Sequence, residues 1–103
     1  MDARQPEIIL SYDVSMEARS MAARISHLIF GRKDAKDDSR LPYVRRPGVV
    51  WIGQSVLIMP ATLAWELAEK LRALGATVTT ARIRIDRDEL EAFRRRRRRG
   101  LGT

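Results

Sequence analysis

The chain has 103 residues, a net charge of +7 and no cysteine, which excludes disulfides, thiolate metal sites and cysteine nucleophiles. Its length predicts one domain, and 45% apolar residues suffice for a modest core that association would help to complete. The chain contains no apolar run of membrane-spanning length, and two acids near the start argue against a signal peptide, so we expect a cytoplasmic protein without a membrane partner.

The first predicted elements are a strand and a helix. Residues 8–12 (IILSY) form a compact β-rich run that suits a central strand with both faces covered. Asp13 and Ser15 follow, and either side chain can accept hydrogen bonds as the N-cap of the next helix. Apolar residues then recur at helical spacing over residues 18–29, and Gly31 ends this predicted helix.

A long connection precedes the hydrophobic centre of the chain. Residues 31–47 mix both charge signs with two prolines and no sustained period, which predicts an exposed loop. Within it, we expect residues 43–46 to extend the next strand, with Pro47-Gly48 as a bulge or kink. Residues 49–52 and 56–59 are β-rich runs separated by Gly53-Gln54-Ser55, a pattern typical of a tight β-hairpin.

The second helix is predicted directly after this hairpin. Pro60 ends the strand and suits the first turn of a helix, where its missing N–H costs nothing. Gly75 supplies the left-handed residue that commonly ends a helix. The buried face between them is predicted to consist of leucines at helical spacing, namely Leu63, Leu67, Leu71 and Leu74.

A strand and a short helix complete the predicted fold. Residues 77–85 (TVTTARIRI) alternate apolar and charged side chains, but Val78 has the opposite parity, so we expect a bulge near Thr79-Thr80. Asp86 and Glu89 have the spacing of a capping box. The resulting order, βαββαβ, predicts an α+β, ferredoxin-like fold: a four-stranded antiparallel sheet with two helices on one face, followed by a short C-terminal helix and a basic tail.

Most of the net charge comes from one run of six arginines at positions 94–99. We therefore divide the chain into a single domain, residues 1–93, and an arginine-rich tail, residues 94–103. Arginines at consecutive helical positions point in every direction and repel one another, which favours a phosphate-binding arm over a tail that only aids solubility. The predicted nucleic-acid-binding residues are Arg32, Lys33, Arg45, Arg46, Arg94, Arg95, Arg96, Arg97, Arg98 and Arg99.

A protein interface is the second predicted surface. Trp65 lies off the leucine face of its helix, and an exposed indole ring of this size favours burial by a partner. The alternative is that the ring covers neighbouring side-chain stems on the same helix. We add Ile83 and Ile85, because an unpaired strand edge at this end of the sheet can accept a partner strand.

Two short motifs carry a family resemblance. Residues 8–15 (IILSYDVS) and Gln54-Ser55-Val56 resemble the opening strand and the hairpin of the Cas-two family, the small CRISPR-associated protein of the spacer-acquisition complex. The order of predicted elements agrees with that family over residues 8–85. The resemblance implies a homodimer with a ferredoxin-like fold that binds duplex nucleic acid and bridges copies of the CRISPR integrase.

The resemblance also implies a possible catalytic role for one residue. In a nuclease reading, Asp13 is the catalytic and metal-binding carboxylate, and two copies of it across a dimer hold Mg²⁺. Helix capping is the simpler role for the same side chain. The single histidine, His27, is predicted to face solvent. The open alternatives to a nucleic-acid-binding scaffold are a metal-dependent endonuclease and a regulatory or toxin-like interaction module from a mobile element.

Overall fold

The computed structural model describes residues 6–31 and 41–101, with side chains described as far as Arg94. Single turns of 3₁₀ helix span Arg19–Met21 and Tyr43–Arg45. The strands are β1 (Glu7–Val14), β2 (Val50–Gly53), β3 (Val56–Pro60) and β4 (Ala76–Ile83), and the helices are α1 (Ala22–Phe30), α2 (Ala61–Ala73) and α3 (Arg87–Leu101).

The four strands form one antiparallel sheet in the order β2-β3-β1-β4. This order arises because α1 and α2 each carry the chain past one strand position before the next strand begins. As a result, β1 occupies the position between β3 and β4. The β2–β3 hairpin turns at Gln54-Ser55, as the sequence predicted. The ferredoxin-like α+β fold is confirmed.

The main core lies between one face of the sheet and helices α1 and α2. Leu67 and Leu71 of α2 are fully buried, and so are Ala64 and Ala68 beside them. These small alanines let the helix backbone approach the sheet closely. The buried face of α2 therefore contains two leucines and two alanines rather than the four leucines predicted. Leu63 and Leu74 are only partly buried. From the sheet and α1, the core receives Ile8, Leu10, Leu57, Met59, Val78, Ile25 and Ile29.

Helix α3 covers part of the opposite face of the sheet. Leu90 and Phe93 pack against Val50 and Ile58 in a second, smaller cluster that also includes Ile9. One half of the predicted capping box is confirmed, because the Asp86 backbone N–H donates to Glu89 Oε1 at 3.0 Å. The central strand β1 is therefore covered on both faces along its first half.

The predicted bulge in the last strand is wrong. β4 pairs with β1 in an unbroken register, from Ala76 opposite Val14 to Ile83 opposite Glu7. The parity of the apolar residues changes because the covering helix changes along the strand: Val78 faces α2, whereas Ile83 packs with the α3 cluster. A strand covered on different faces at its two ends therefore mimics a bulge in sequence.

Three local predictions are also corrected. Asp13 lies inside β1 rather than capping a helix, whereas Ser15 Oγ accepts a hydrogen bond from Ala18 N at 3.2 Å in the turn before α1. Residues 43–45 form a 3₁₀ turn with Tyr43 fully buried, because the apolar ring is more stable in the core than in an exposed strand extension. Pro60 ends β3 as predicted, but it is the N-cap of α2 rather than part of its first turn, since the helix begins at Ala61.

Replacing Gly75 with alanine should destabilise the fold. Gly75 has φ +95°, and a Cβ there would lie 2.9 Å from the Ala18 Cβ. The left-handed conformation alone costs about 1–2 kcal/mol for a residue with a side chain. We expect Gly75→Ala to lower the free energy of unfolding by at least that amount in urea titrations.

Gly53→Ala is the matched control, since its Cβ would meet only ordinary contacts, the nearest at 3.7 Å. Equal stability for the two variants would contradict the proposed role of Gly75.

Candidate nucleic-acid interface

Arg94 joins the start of the arginine run to the edge of the sheet. Its Nη2 donates to the Val49 carbonyl oxygen at 3.3 Å, and its Nε lies 3.2 Å from Glu91 Oε1, one turn earlier on α3. Val49 N in turn donates to the Arg46 carbonyl at 3.2 Å, which closes the turn before β2. The contact therefore brings together two basic segments that lie far apart in the sequence.

Arg46 is held in place on the face of the sheet that α2 covers. Its guanidinium carbon lies 4.0 Å from the centre of the Tyr43 ring, its Nε donates to Leu41 O at 3.1 Å, and its Nη1 lies 3.5 Å from Glu66 Oε2. Lys70 Nζ reaches the same carboxylate oxygen at 3.4 Å. With these partners Arg46 acts mainly as an anchor, whereas its neighbour Arg45 is exposed.

The Tyr43 environment shifts the pKa values of two groups. Burial raises the pKa of the Tyr43 phenol, and the adjacent Lys70 ammonium opposes that shift. The approach of the Tyr43 hydroxyl lowers the pKa of Glu66, and Lys70 and Arg46 lower it further. Among the described atoms this hydroxyl has no hydrogen bond of good geometry, so it acts through a looser contact. The cluster fixes the turn that presents Arg45.

The arginine run continues the backbone of α3 without a break. Leu90 and Phe93 hold the first half of the helix on the sheet, so its orientation is set before the run begins. Arg95–Arg99 occupy five successive helical positions, about 100° apart, and so surround the helix axis over roughly 6 Å of its length. Their side chains lie outside the described atoms.

The predicted catalytic residue does not join this surface. Asp13 is exposed and pairs with Thr77 towards the far end of β1, on the part of the second face that α3 leaves uncovered. Within the described ranges, no group of three His, Cys, Asp or Glu residues is placed to hold a metal ion. Arg32 and Lys33 lie outside the described residues.

The predicted interface residues separate into two environments. Ile83 and Ile85 pack against the cluster around Leu90 and so stabilise α3. Trp65 remains 51% exposed on α2, as its position off the leucine face predicted. Trp51 instead packs edge-on against Phe30, with ring centres 5.1 Å apart. Of the predicted interface residues, Trp65 is therefore the one left as a candidate for burial by a partner.

Comparisons with protein-family models, with curated proteins and with solved structures found no match. Across residues 6–31 and 41–101, none of the helices is both long and apolar enough to cross a membrane.

Sequence reasoning missed the cluster around Tyr43. Its signal is weak, since a tyrosine followed by an arginine three residues later is common in loops. The i,i+4 pair Glu66 and Lys70 is recognisable as a helical ion pair, but nothing in the sequence indicates that both face the connection before β2. That juxtaposition depends on the tertiary packing of α2.

Glu66 should contribute a pH-dependent part of the stability. Because its pKa is lower in the folded state than in the unfolded chain, its contribution is present above the unfolded pKa. The contribution is lost as the pH falls through the folded pKa. In Glu66→Gln, we expect the free energy of unfolding to fall less steeply on acidification, as measured by urea titrations from pH 7 to pH 2.

Glu69→Gln, an exposed position on the same helix, is the control and should retain the wild-type profile. Coincident profiles for wild type and Glu66→Gln would contradict the account of the cluster.

Proposed function

We propose that this protein is a nucleic-acid-binding scaffold that holds the phosphate backbone of a duplex between the arginine half of α3 and the turn containing Arg45. The observation that carries the proposal is the hydrogen bond from Arg94 to the Val49 carbonyl. This contact fixes the start of the arginine run at the segment that leads from the exposed Arg45 into β2. A rigidly directed cationic helix loses less conformational entropy on binding than an unattached basic tail does.

The distribution of charge around α3 favours B-form DNA as the ligand. Arginines on every side of a helix can contact phosphates on two sides at once, and the major groove of B-DNA admits an α-helix between two phosphate-lined walls. The major groove of A-form RNA is too narrow for this arrangement. Because arginine–phosphate contacts carry no direct sequence information, the binding should depend little on base sequence.

The assembly that we propose follows from the Cas-two resemblance. Two copies would form a homodimer, and the CRISPR integrase would be the protein partner. The sheet order and the exposed Trp65 ring support this part of the proposal, since burial of that ring would stabilise an association. Trp65→Ala should then shift the dimer towards monomers in sedimentation equilibrium, whereas Arg87→Ala, at an exposed position on α3, should not.

A Mg²⁺-dependent endonuclease is the alternative function. Asp13 is exposed and lies within β1, so helix capping does not account for its carboxylate. A single carboxylate makes a weak magnesium site, and a second copy would have to supply another. Mg²⁺-dependent cleavage of duplex DNA that disappears in Asp13→Asn would establish this alternative. The scaffold proposal expects no such cleavage and unchanged duplex affinity.

The arginine run should determine how salt affects duplex binding. If Arg45 and Arg95–Arg99 neutralise phosphates, the slope of log affinity against log salt concentration is on the order of −5. Replacing Arg95–Arg99 with glutamine, which has a similar helix propensity, should make that slope shallower by about 4 and weaken binding at least roughly tenfold. Fluorescence anisotropy of a labelled duplex measures both quantities.

The same five positions replaced with lysine provide the control, because lysine retains the charge and should retain most of the slope. A glutamine variant that binds duplex DNA with the wild-type slope would overturn the proposal. The absence of salt-sensitive binding in the wild-type protein would favour a regulatory or toxin-like interaction module.

A further inference from the structure

The outer edge of β4 presents backbone groups in a defined order. Tyr12 N donates to Ser55 O at 3.0 Å, so the backbone of Tyr12 points towards the β2–β3 hairpin and away from its β4 partner, Val78. In an antiparallel pair of this kind both residues direct their N–H and C=O groups away from each other. Val78 therefore points its backbone outward, and by alternation so do Thr80 and Arg82.

Arg72 confirms this orientation independently. Its Nη2, at the end of α2, donates to the Val78 carbonyl oxygen at 3.2 Å. A side chain that caps an edge carbonyl prevents another strand from pairing at that position. The edge is thus divided into a capped part at Val78 and an uncapped part at Thr80 and Arg82, where no described strand lies beyond β4.

The charge along this edge selects among possible partners. β4 carries no acidic residue, Arg82 is exposed within it, and Arg84 is exposed directly after it. A second copy pairing antiparallel through Thr80 and Arg82 would place both Arg82 side chains about 7–8 Å apart on one face of the joined sheet. Like charges at this spacing disfavour self-association, whereas an acidic side chain opposite Arg82 favours a different protein.

We propose that the uncapped edge of β4 binds an extended, acidic segment of another protein by strand addition. The backbone groups of Thr80 and Arg82 provide the hydrogen bonds, and Arg82 selects an acidic side chain opposite it. This site lies across the sheet from β2, where the arginine helix is docked, at a separation of roughly 14 Å for four strands. Nucleic acid and the acidic segment can therefore bind together.

A labelled decapeptide of alternating glutamate and valine is the probe, with a lysine–valine peptide for comparison. The full chain is saturated with unlabelled duplex DNA, so that the arginine helix does not capture the acidic peptide. We expect the acidic peptide to bind and to slow hydrogen exchange at the amides of Thr80 and Arg82. The lysine–valine peptide should do neither.

Two variants test the mechanism separately. Thr80→Pro removes one outward N–H, a change that an edge strand tolerates, and should weaken the acidic peptide roughly tenfold. Arg82→Glu should reverse the peptide preference, so that the lysine–valine peptide binds more tightly than the glutamate–valine peptide. Arg24→Glu, the same charge change on α1, is the matched control and should leave the preference unaltered. Circular dichroism verifies that each variant is folded. If Thr80→Pro unfolds, the peptide preference of Arg82→Glu alone tests the inference.

Three results would overturn the inference. The first is that Arg82→Glu still binds the acidic peptide in preference to the lysine–valine peptide. The second is peptide binding that disappears when Arg95–Arg99 are replaced with glutamine but persists in Thr80→Pro. The third is protection of Thr80 and Arg82 that rises with protein concentration without peptide, which would mean that a second copy fills the edge. A failure of DNA binding alone, measured without peptide, would overturn only the proposed function.

Discussion

The packing of α3 on the second face of the sheet is the contact on which the proposed nucleic-acid surface depends. Leu90 and Phe93 remove apolar surface of β2 and β3 from water, and the capping box fixes where the helix begins. Arg94 then ties the helix to Val49. If this helix were detached, the arginine run would be an unattached basic tail, and part of the hydrophobic second face would be exposed.

The two edges of the sheet differ in chemistry because different elements protect them. On the β2 side, α3 and the turn held by the Tyr43 cluster concentrate positive charge. On the β4 side, one carbonyl is capped by Arg72 while the following residues remain uncapped. The two proposed binding surfaces therefore differ in chemistry, since one uses side-chain charge and the other mainly backbone hydrogen bonds.

Much of this fold could be predicted from sequence because the relevant signals are local. Turn residues at positions 53–55, the glycine after α2 and the capping box each follow from backbone chemistry within a few residues. The strand order then follows from the order of elements and the handedness of crossovers. The change in parity of the apolar residues along β4 could not be interpreted correctly, because it depends on which helix covers each end of the strand.

The candidate site was predicted only in part. Composition identified the arginine run and Arg45, but not that Arg46 and Arg94 serve as anchors, since their partners lie on distant segments. Asp13 was predicted as a helix cap because an aspartate after a strand commonly precedes a helix directly. Here the strand continues to Val14, two residues beyond its predicted end, and a 3₁₀ turn lies between it and the helix. Such long-range and boundary effects depend on tertiary packing.

Backbone amide chemical shifts recorded during titration with a short B-form duplex test the central claim most directly. The account predicts that residues of α3 from Leu90 onward and the turn from Arg45 to Val49 shift together with one dissociation constant, while Thr77 and Thr79 on the uncovered sheet face do not shift. Shifts confined to the last residues of the chain, or centred around Asp13, would contradict it.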